Sequence, residues 1–583
     1  MTDKELKKLK DDLWHSADIL RQGAHLAANK YGQPILGLIF LRYADILYKQ
    51  HKEEIEKEYN LKKGTRAERT LKEISIEKCG FYLPEDAYFD KINDAPDTAE
   101  KATLVKKAMQ EIEKENPTML GVLPKEVYGA LVPEEEPELL SRIVKIFKDI
   151  PENIEIDLFG EIYEYFLGNF ALSEGKDGGT FYTPASVVRY MVNVLDPKAG
   201  EKKILDPACG SGGMFVQAAR YMHKHNTTAE DMMKFRCYGV EKESDTVKLA
   251  KMNLLLNNVR GEIKEANSFY SDPHDAYNSF DYVMANPPFN VDEVVLDRVK
   301  DDKRFNKYGI PAKKSKSAKK DGDKKETVPN ANYLWISYFA TALNETGKAA
   351  LVMANSASDA GGTELEIRQK MIESGIIKQM VTLPSNMFTS VTLPATLWFF
   401  DKQKTNINKK DEVLFVDARN VFTQVDRAHR KFSDEQIKNL GIITKLYDGD
   451  TKAFADLIEE YKQEKKNAPE TSSDKDEKTK AYFQEQIDWL EERFPEGKYT
   501  DVIGLCKVAK IDGEDGIKEQ DWSLNAGRYV GVVIEDDGLT PEEFKTQMLE
   551  LNAELEALNE EARNLEKEIA QNIKSLFGDE NGN

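Results

Sequence analysis

The stretch from Lys202 to His225, KKILDPACGSGGMFVQAARYMHKH, indicates the fold of this chain. The apolar run KKILD is typical of a buried strand, and GGMFVQAARYMHKH has the spacing of a helix. The turn between them contains Gly210, Gly212 and Gly213, which let the backbone approach a ligand. The N-terminus of the following helix favours polar or anionic groups. The stretch is therefore the first half of a βαβ unit with a ligand site in its turn.

The alternation of strands and helices continues beyond this stretch. Further apolar runs bounded by turn residues are RCYGVE (236–241), FDYVMAN (280–286), KAALVMAN (348–355), IKQMVTLP (377–384) and ATLWFFDK (395–402). Helical stretches between strands predict a Rossmann-like α/β fold with a mostly parallel sheet. The last two runs are close enough to form an antiparallel hairpin at the sheet edge.

The flanking regions have a different character. We expect an all-α domain over residues 1–165, the α/β domain over 166–430 and a polar helical linker over 431–540. The last segment, 541–578, is predicted to be a coiled-coil-like helix of about four heptads. Its apolar seam, with spacings of four and three, comprises Phe544, Met548, Leu551, Leu555, Leu558, Ala562, Leu565 and Ile569. Docking on its own chain and pairing with another chain both remain open, and the narrow seam favours a helical partner.

Composition excludes several classes of protein. No segment approaches the roughly 20 apolar residues of a membrane span, and the charged start lacks a signal-peptide core, so we expect a cytoplasmic location. Four scattered cysteines give neither a disulfide framework nor a zinc-binding pair, so no metal is predicted. The net charge is −21. A protein this acidic is expected to bind DNA only through a local basic patch or a partner.

The glycine turn belongs to a site for a nucleotide-like cofactor. A P-loop is excluded because no Gly-Lys-Ser/Thr follows, and Phe215 replaces the third glycine of the dinucleotide fingerprint. Glu241, at the end of the next strand, can accept both ribose hydroxyls of either NAD or S-adenosylmethionine (SAM). Asp206 can orient the charged methionine portion of SAM, and Asn267 can reach the adenine edge.

The sequence Asn286-Pro287-Pro288-Phe289 distinguishes between these cofactors. An amino group conjugated to a ring is a poor nucleophile because its lone pair is delocalised. The carboxamide oxygen of Asn286 and the carbonyl of Pro287 can accept its two hydrogens, and the prolines hold both acceptors rigidly. Phe289 can stack on a base flipped out of a duplex. Hydride transfer does not require this set, so SAM is favoured as the cofactor.

At this point the sequence resembles the methyltransferase (modification, or M) subunits of type I restriction–modification systems, which make N6-methyladenine. Asn-Pro-Pro-Phe after a glycine-rich turn carries the resemblance, together with GGTFYTPASVVRYMV (178–192) and FGEIYEYFLGNFA (159–171). The likeness covers the helical N-terminal domain and the α/β domain. It implies SAM contacts at Thr180, Phe181, Tyr182, Thr183, Pro184, Ala185, Ser211, Gly212, Gly213 and Glu241. It implies catalytic roles for Asn286, Pro287 and Phe289. Thr180 and Ala185 depart from the residues that many members carry.

The resemblance also implies partners. These are double-stranded DNA, a separate specificity subunit, a second copy of this chain and a restriction or translocase subunit. N4-cytosine methylation and a non-catalytic scaffold remain alternatives. A C5-cytosine enzyme is disfavoured because no cysteine follows a proline. The lysine-rich insertion at 300–325 is either a solvated loop or a contact to DNA phosphates.

Overall fold

The computed structural model describes residues 3–23, 32–155, 157–173, 183–225, 227–312, 326–388, 394–404, 408–427, 429–467, 474–533 and 540–577. The chain forms two compact units, Met1–Gly531 and Val532–Asn583. Within the described ranges, no helix is both long and apolar enough to span a membrane.

Helices alone precede the first strand of the described chain. They are α1 (Asp3–Gly23), α2 (Gly32–Lys62), α3 (Leu71–Cys79), α4 (Phe89–Asn93), α5 (Ala99–Glu115), α6 (Leu139–Lys148), α7 (Asp157–Ser173) and α8 (Ala185–Leu195). The central helix is α2, in which every residue from Pro34 to Tyr48 is buried. Its buried Arg42 pairs with Asp45 at 3.1 Å and donates to the carbonyl of Ile150 at 2.6 Å. A buried charge requires such pairing, because burial without a partner is costly.

A nine-stranded sheet forms the centre of the larger unit. Its strands are β1 (Lys203–Asp206), β2 (Arg236–Glu241), β3 (Gly261–Glu265), β4 (Phe280–Ala285), β5 (Leu343–Ala354), β6 (Ile377–Thr382), β7 (Ala395–Asp401), β8 (Glu412–Asp417) and β11 (Cys506–Lys510). Their spatial order is β11-β8-β6-β7-β5-β4-β1-β2-β3. A small two-stranded sheet contains β9 (Thr423–Gln424) and β10 (Arg430–Lys431).

The pairing confirms the predicted α/β class. Strands β1 to β5 pair in parallel, and β6 also runs parallel to β8. The predicted hairpin forms, with β6 antiparallel to β7. Two strands that we did not predict, β8 and β11, extend the sheet beyond that hairpin. The hairpin therefore lies inside the sheet and not at its edge, where we expected it. All residues of β6 and β7 are buried, because an apolar core covers each face of the sheet at this point.

Helices pack on both faces of the sheet. Those after β1 are α9 (Gly213–Lys224), α10 (Ala229–Lys234), α11 (Ser244–Leu256), α12 (Lys303–Asn306), α13 (Asn332–Ala342), α14 (Thr363–Glu373), α15 (Asp434–Tyr447), α16 (Thr451–Asn467) and α17 (Asp474–Arg493). One apolar core includes α8, α9 and α15, and a second is built around α13 and α14. The sheet lies between these two cores.

The region expected as a polar helical linker, 431–540, contains helices and also a strand, which we did not expect. Helices α15, α16 and α17 occupy its first part, and β11 pairs antiparallel with β8 from Cys506↔Val416 to Lys510↔Glu412. Among its described residues, the smaller unit contains one long helix, α18 (Pro541–Phe577). Its described side chains are exposed, including Leu555 at 57% and Leu558 at 55%.

Candidate active site

Three parallel strands bring polar residues to one edge of the sheet. Strand β1 ends at Asp206, β2 at Glu241, and β4 at the residue before Asn286. The register pairs β1 with β2 and with β4, so β1 lies between the other two. Carboxyl ends of parallel strands are the usual location of ligand sites in such folds. A cavity of about 270 Å³ opens here.

The glycine turn forms one wall of the cavity. Gly210 has φ +51° and Gly212 has φ +80°, both in the left-handed region that glycine adopts without strain. Gly212 is the N-cap of α9, so free amides of the first helical turn lie beside Ser211 and Gly213, which line the cavity. Asn253 of α11 donates to the carbonyl of Ser211 at 2.9 Å and fixes the turn from behind.

Two carboxylates brace this turn. Asp206 accepts from the amide of Ala208 at 3.0 Å, and burial raises its pKa well above the usual range. Glu241 accepts from the amide of Gly210 at 3.1 Å, and from the amides of Lys242 and Glu243 at 2.7 and 2.9 Å. Asp206 lines the cavity, whereas Glu241 is not among the lining residues. The predicted ribose contact of Glu241 stays a prediction.

Asn267 lies two residues beyond β3 and shapes the backbone there. Its side-chain oxygen accepts from the amide of Phe269 at 3.0 Å, and its carbonyl accepts from the amides of Tyr270 and Ser271. Asn267 is not among the residues that line the cavity. The adenine contact predicted for it likewise stays a prediction.

Asn286 reaches the cavity from β4. Its Nδ2 donates to Oγ1 of Thr183 at 2.9 Å. Its Oδ1 is buried and has no hydrogen-bond partner among the described residues. Buried polar atoms are usually satisfied, so an unpaired acceptor on a residue that lines a cavity is a candidate partner for a ligand donor. Both Asn286 and Thr183 line the cavity.

The residues after Asn286 form a braced loop. Pro287 is buried, Pro288 is exposed, and Phe289 is half-buried against both apolar cores. Asn290 has φ +57°, and its amide donates to Oδ1 of Asn332 at 2.8 Å. Asn332 in turn donates to Oδ1 of Asn290 at 3.0 Å. This reciprocal pair, not foreseen from the sequence, holds the loop to the start of α13.

Of the other residues assigned by resemblance, Ala185 lines the cavity and Pro184 is the N-cap of α8. Thr180, Phe181 and Tyr182 lie outside the described residues, as does the second half of the lysine-rich insertion, 313–325.

The N-terminal helices supply the opposite wall, which we did not predict. Residues of α2 and α7 line the same cavity, namely Gly32, Gln33, Leu36, Glu164, Leu167 and Phe170. Glu164 pairs with Arg220 at 2.6 Å and accepts from Nε2 of Gln217 at 3.2 Å. Burial raises the pKa of Glu164. The segment FGEIYEYFLGNFA contributed to the resemblance, but nothing local in it marks Glu164 as facing a cavity.

A chain of hydrogen bonds connects Glu164 with the glycine turn. Arg220 donates to Oδ1 of Asn257 at 2.9 Å as well as pairing with Glu164. Asn257 donates to the carbonyl of Asn253 at 2.9 Å, and Asn253 donates to Ser211. Helix α7 is therefore joined to the glycine turn through α9 and α11.

The ionisable residues of the cavity lining are acidic. In the described part of the chain they are Asp206, Glu164 and Asp245, with no lysine or arginine. Burial raises the pKa of Asp206 and of Glu164, whereas a hydrogen bond from Lys248 lowers the pKa of Asp245, so Asp245 is the most readily charged of the three. Arg220 offsets Glu164 from outside the lining. Such a wall favours a cationic ligand and opposes a diphosphate.

Two family models match the chain. The one described as N-6 DNA methylase matches residues 154–467, and the one described as the HsdM N-terminal domain matches residues 9–147. The first of these contains the glycine turn, Asn286 and the cavity-facing part of α7.

Similar proteins carry consistent names. The type I restriction enzyme MjaIX methylase subunit of Methanocaldococcus jannaschii is 32% identical over 98% of this chain and 91% of its own length. The HindI methylase subunit of Haemophilus influenzae is 30% identical over 87% of this chain and 98% of its own. A type I restriction-modification methyltransferase subunit from Streptococcus thermophilus shares the fold, with a TM-score of 0.66 at 20% identity over 91% of this chain and all of its own. The chain belongs to the N-6 DNA methylase family of type I restriction enzyme methylase subunits.

Proposed function

We propose that this chain transfers a methyl group from SAM to the exocyclic N6 of an adenine flipped out of double-stranded DNA. The observation that carries the proposal is the buried, unpartnered Oδ1 of Asn286 in the cavity beside the glycine turn. An exocyclic amine presents only hydrogens, which an open acceptor suits. The carbonyl of Pro287 is the proposed second acceptor.

The acceptors act on the lone pair of the amine. Hydrogen bonds from the amine to two fixed oxygens favour a tetrahedral nitrogen, whose lone pair is available to attack the methyl carbon. The amine nitrogen forms a bond to that carbon, and the carbon–sulfur bond breaks with its electrons going to sulfur. The methylated nitrogen then loses a proton to water. Proline at 287 and 288 limits backbone motion, so the geometry exists before the substrate binds.

The cavity walls suit SAM. SAM carries a sulfonium and an ammonium against one carboxylate, so it binds as a cation to a lining that contains Asp206, Glu164 and Asp245. NAD carries a diphosphate, which the same lining disfavours. The free amides at the start of α9 are available to the carboxylate of SAM.

We propose that DNA sequence is read by a separate specificity subunit. The net charge of −21 argues against binding of DNA by this chain alone over a broad surface. The relatives are methylase subunits of type I restriction enzymes, by their names parts of larger enzymes. We propose that the exposed seam of α18 packs against helices of the specificity subunit. We also propose that the assembly contains a second copy of this chain and a restriction subunit. The proposed location is the cytoplasm, where DNA and SAM are both available.

Mass spectrometry of nucleosides tests the reaction. The chain is combined with its specificity subunit, target DNA and isotopically labelled SAM, and labelled N6-methyladenine is expected. Detection of labelled N4-methylcytosine instead would identify cytosine as the substrate base. No transfer at all would indicate that the chain is a non-catalytic scaffold. 2-Aminopurine at the target position should become fluorescent when bound, and unchanged fluorescence would contradict base flipping.

A variant of Asn286 tests its assigned role. Asn286→Ala should abolish transfer while SAM binding, measured by calorimetry, persists. Asn60→Ala, at an exposed position of α2, is the matched control and should leave both unchanged. Loss of SAM binding together with transfer would assign Asn286 to folding instead.

A further inference from the structure

We propose that Thr183 is a positioning residue for methyl transfer, which holds the carboxamide of Asn286 with its oxygen toward the substrate amine. The resemblance placed Thr183 among the SAM contacts, whereas the structure places its hydroxyl on the proposed catalytic residue. The inference rests on the proposed function and adds that efficient transfer requires the hydroxyl of Thr183.

The geometry is a single hydrogen bond between distant parts of the chain. Thr183 and Asn286 are 103 residues apart, and Nδ2 of Asn286 lies 2.9 Å from Oγ1 of Thr183. The other end of the carboxamide, Oδ1, is buried without a described partner. One end of the side chain is therefore fixed by protein, and the other has no described partner, on a residue that lines the cavity.

The orientation of the Asn286 carboxamide determines whether an acceptor or a donor faces the substrate amine. The group has nearly the same shape when rotated by half a turn, but the rotation exchanges an acceptor for a donor. A substrate amine supplies only hydrogens on this side, so Oδ1 must face it and Nδ2 must face away. In that orientation Nδ2 needs an acceptor, and the hydroxyl oxygen of Thr183 provides one. Without it, the productive orientation leaves a partly buried donor unpaired.

Both partners of the bond are held by rigid elements. Thr183 immediately precedes Pro184, the N-cap of α8, whose carbonyl accepts from the amides of Val187 and Val188 at 2.9 and 3.2 Å. One face of α8 is buried, including Tyr190. Asn286 directly follows β4, which lies between β1 and β5 in the sheet. The distance between the two side chains is thus set by the core and does not depend on a loose loop.

The test compares removal of the hydroxyl with its retention. Thr183→Val keeps the shape without the hydroxyl, Thr183→Ala is a second hydroxyl-free variant, and Thr183→Ser keeps the hydroxyl. Each is assembled with the specificity subunit and target DNA. The single-turnover rate at saturating SAM and the SAM dissociation constant are then measured separately. Thermal midpoints establish that each variant is folded.

We expect the valine and alanine variants to lose about 5- to 150-fold in rate, the loss associated with one unpaired polar group. Their SAM dissociation constants should stay within about twofold of the native value, and the serine variant should recover most of the rate. Weakened SAM binding with an unchanged rate at saturation would overturn the proposal in favour of a cofactor contact. An equal rate loss in the serine variant would overturn it in favour of packing. Failure of the native complex to methylate overturns the proposed function itself, before any variant is compared.

Discussion

Replacing Gly160 by alanine should destabilise the protein, although alanine is the better helix former. Gly160 lies in α7 where that helix packs against α11. A Cβ added there would lie 2.7 Å from Cγ of Asn257 and closer still to its Oδ1. The Asn257 side chain would have to move. It accepts from Arg220 at 2.9 Å and donates to the carbonyl of Asn253 at 2.9 Å, so both bonds would be lost.

The size of the effect follows from these bonds. A hydrogen bond to a charged group contributes about 1.5 kcal/mol when partly exposed, and a neutral one about 1 kcal/mol. Replacing glycine by alanine within a helix increases the free energy of unfolding by about 1 kcal/mol. The expected net loss is therefore about 1.5 kcal/mol. For a cooperative unit of this size, with an unfolding entropy of about 2 cal/mol/K per residue, the thermal midpoint should fall by roughly 1–2 °C.

A double-mutant cycle read by scanning fluorimetry tests the reasoning. In an Asn257→Ala background the obstructed side chain is gone, so adding Gly160→Ala should raise the thermal midpoint instead of lowering it. Gly129→Ala, at a position with nothing within 4 Å of an added Cβ, controls for the substitution type. If Gly160→Ala lowers the midpoint equally in both backgrounds, the cost lies in backbone packing and the argument from Asn257 is wrong.

Four further outcomes are expected. Glu164→Gln should weaken SAM binding several-fold by calorimetry and affect S-adenosylhomocysteine less, because that product lacks the sulfonium charge; equal weakening would contradict an electrostatic role. Leu555→Asp in the seam of α18 should abolish co-purification of the specificity subunit, whereas Glu554→Gln should not; retention by Leu555→Asp would show that the seam is not the contact. All four cysteines are buried, and burial raises the pKa of each, to about 12 for Cys79 and Cys506. A thiol reagent at pH 8 should therefore label none of them before unfolding, and rapid labelling of the native chain would contradict that burial. Burial alone would raise the pKa of Asp90, but hydrogen bonds from Lys148 and Lys49 lower it to about 2. Asp90 should thus stabilise the protein above about pH 4 and lose that contribution as the pH falls toward 2; Asp90→Asn should flatten this acid dependence of the thermal midpoint.

The sequence predicts the elements whose evidence is local. Strands β1, β2 and β4 are short, mainly apolar runs bounded by turn residues, and their ends place Asp206, Glu241 and Asn286 along one sheet edge. Strand β11 carries two lysines in five residues, and its sequence shows neither alternation nor a buried run. It pairs with β8 at the edge of the sheet. Pairing with β8, and not a local sequence pattern, therefore determines that this segment is a strand.

The part of the site formed by α2 and α7 was not predicted for a similar reason, because it depends on tertiary packing. Gln33 and Glu164 face the cavity because α2 and α7 pack across the glycine turn, and no local pattern specifies which side of a helix meets another domain. The hydrogen bond from Asn286 to Thr183 is similarly a product of tertiary structure. The sequence predicts which chemistry is present, and packing determines which atoms are left available for it.

The open oxygen of Asn286 also has a consequence for the evolution of the chain. A buried acceptor without a partner costs the resting protein about 1–3 kcal/mol, which the amine of the proposed substrate would recover. Selection for heat resistance alone would favour replacing this residue with an apolar one. If Asn286 has the role that we propose, the site is a point of stability–activity trade-off, at which selection for methyl transfer retains the asparagine.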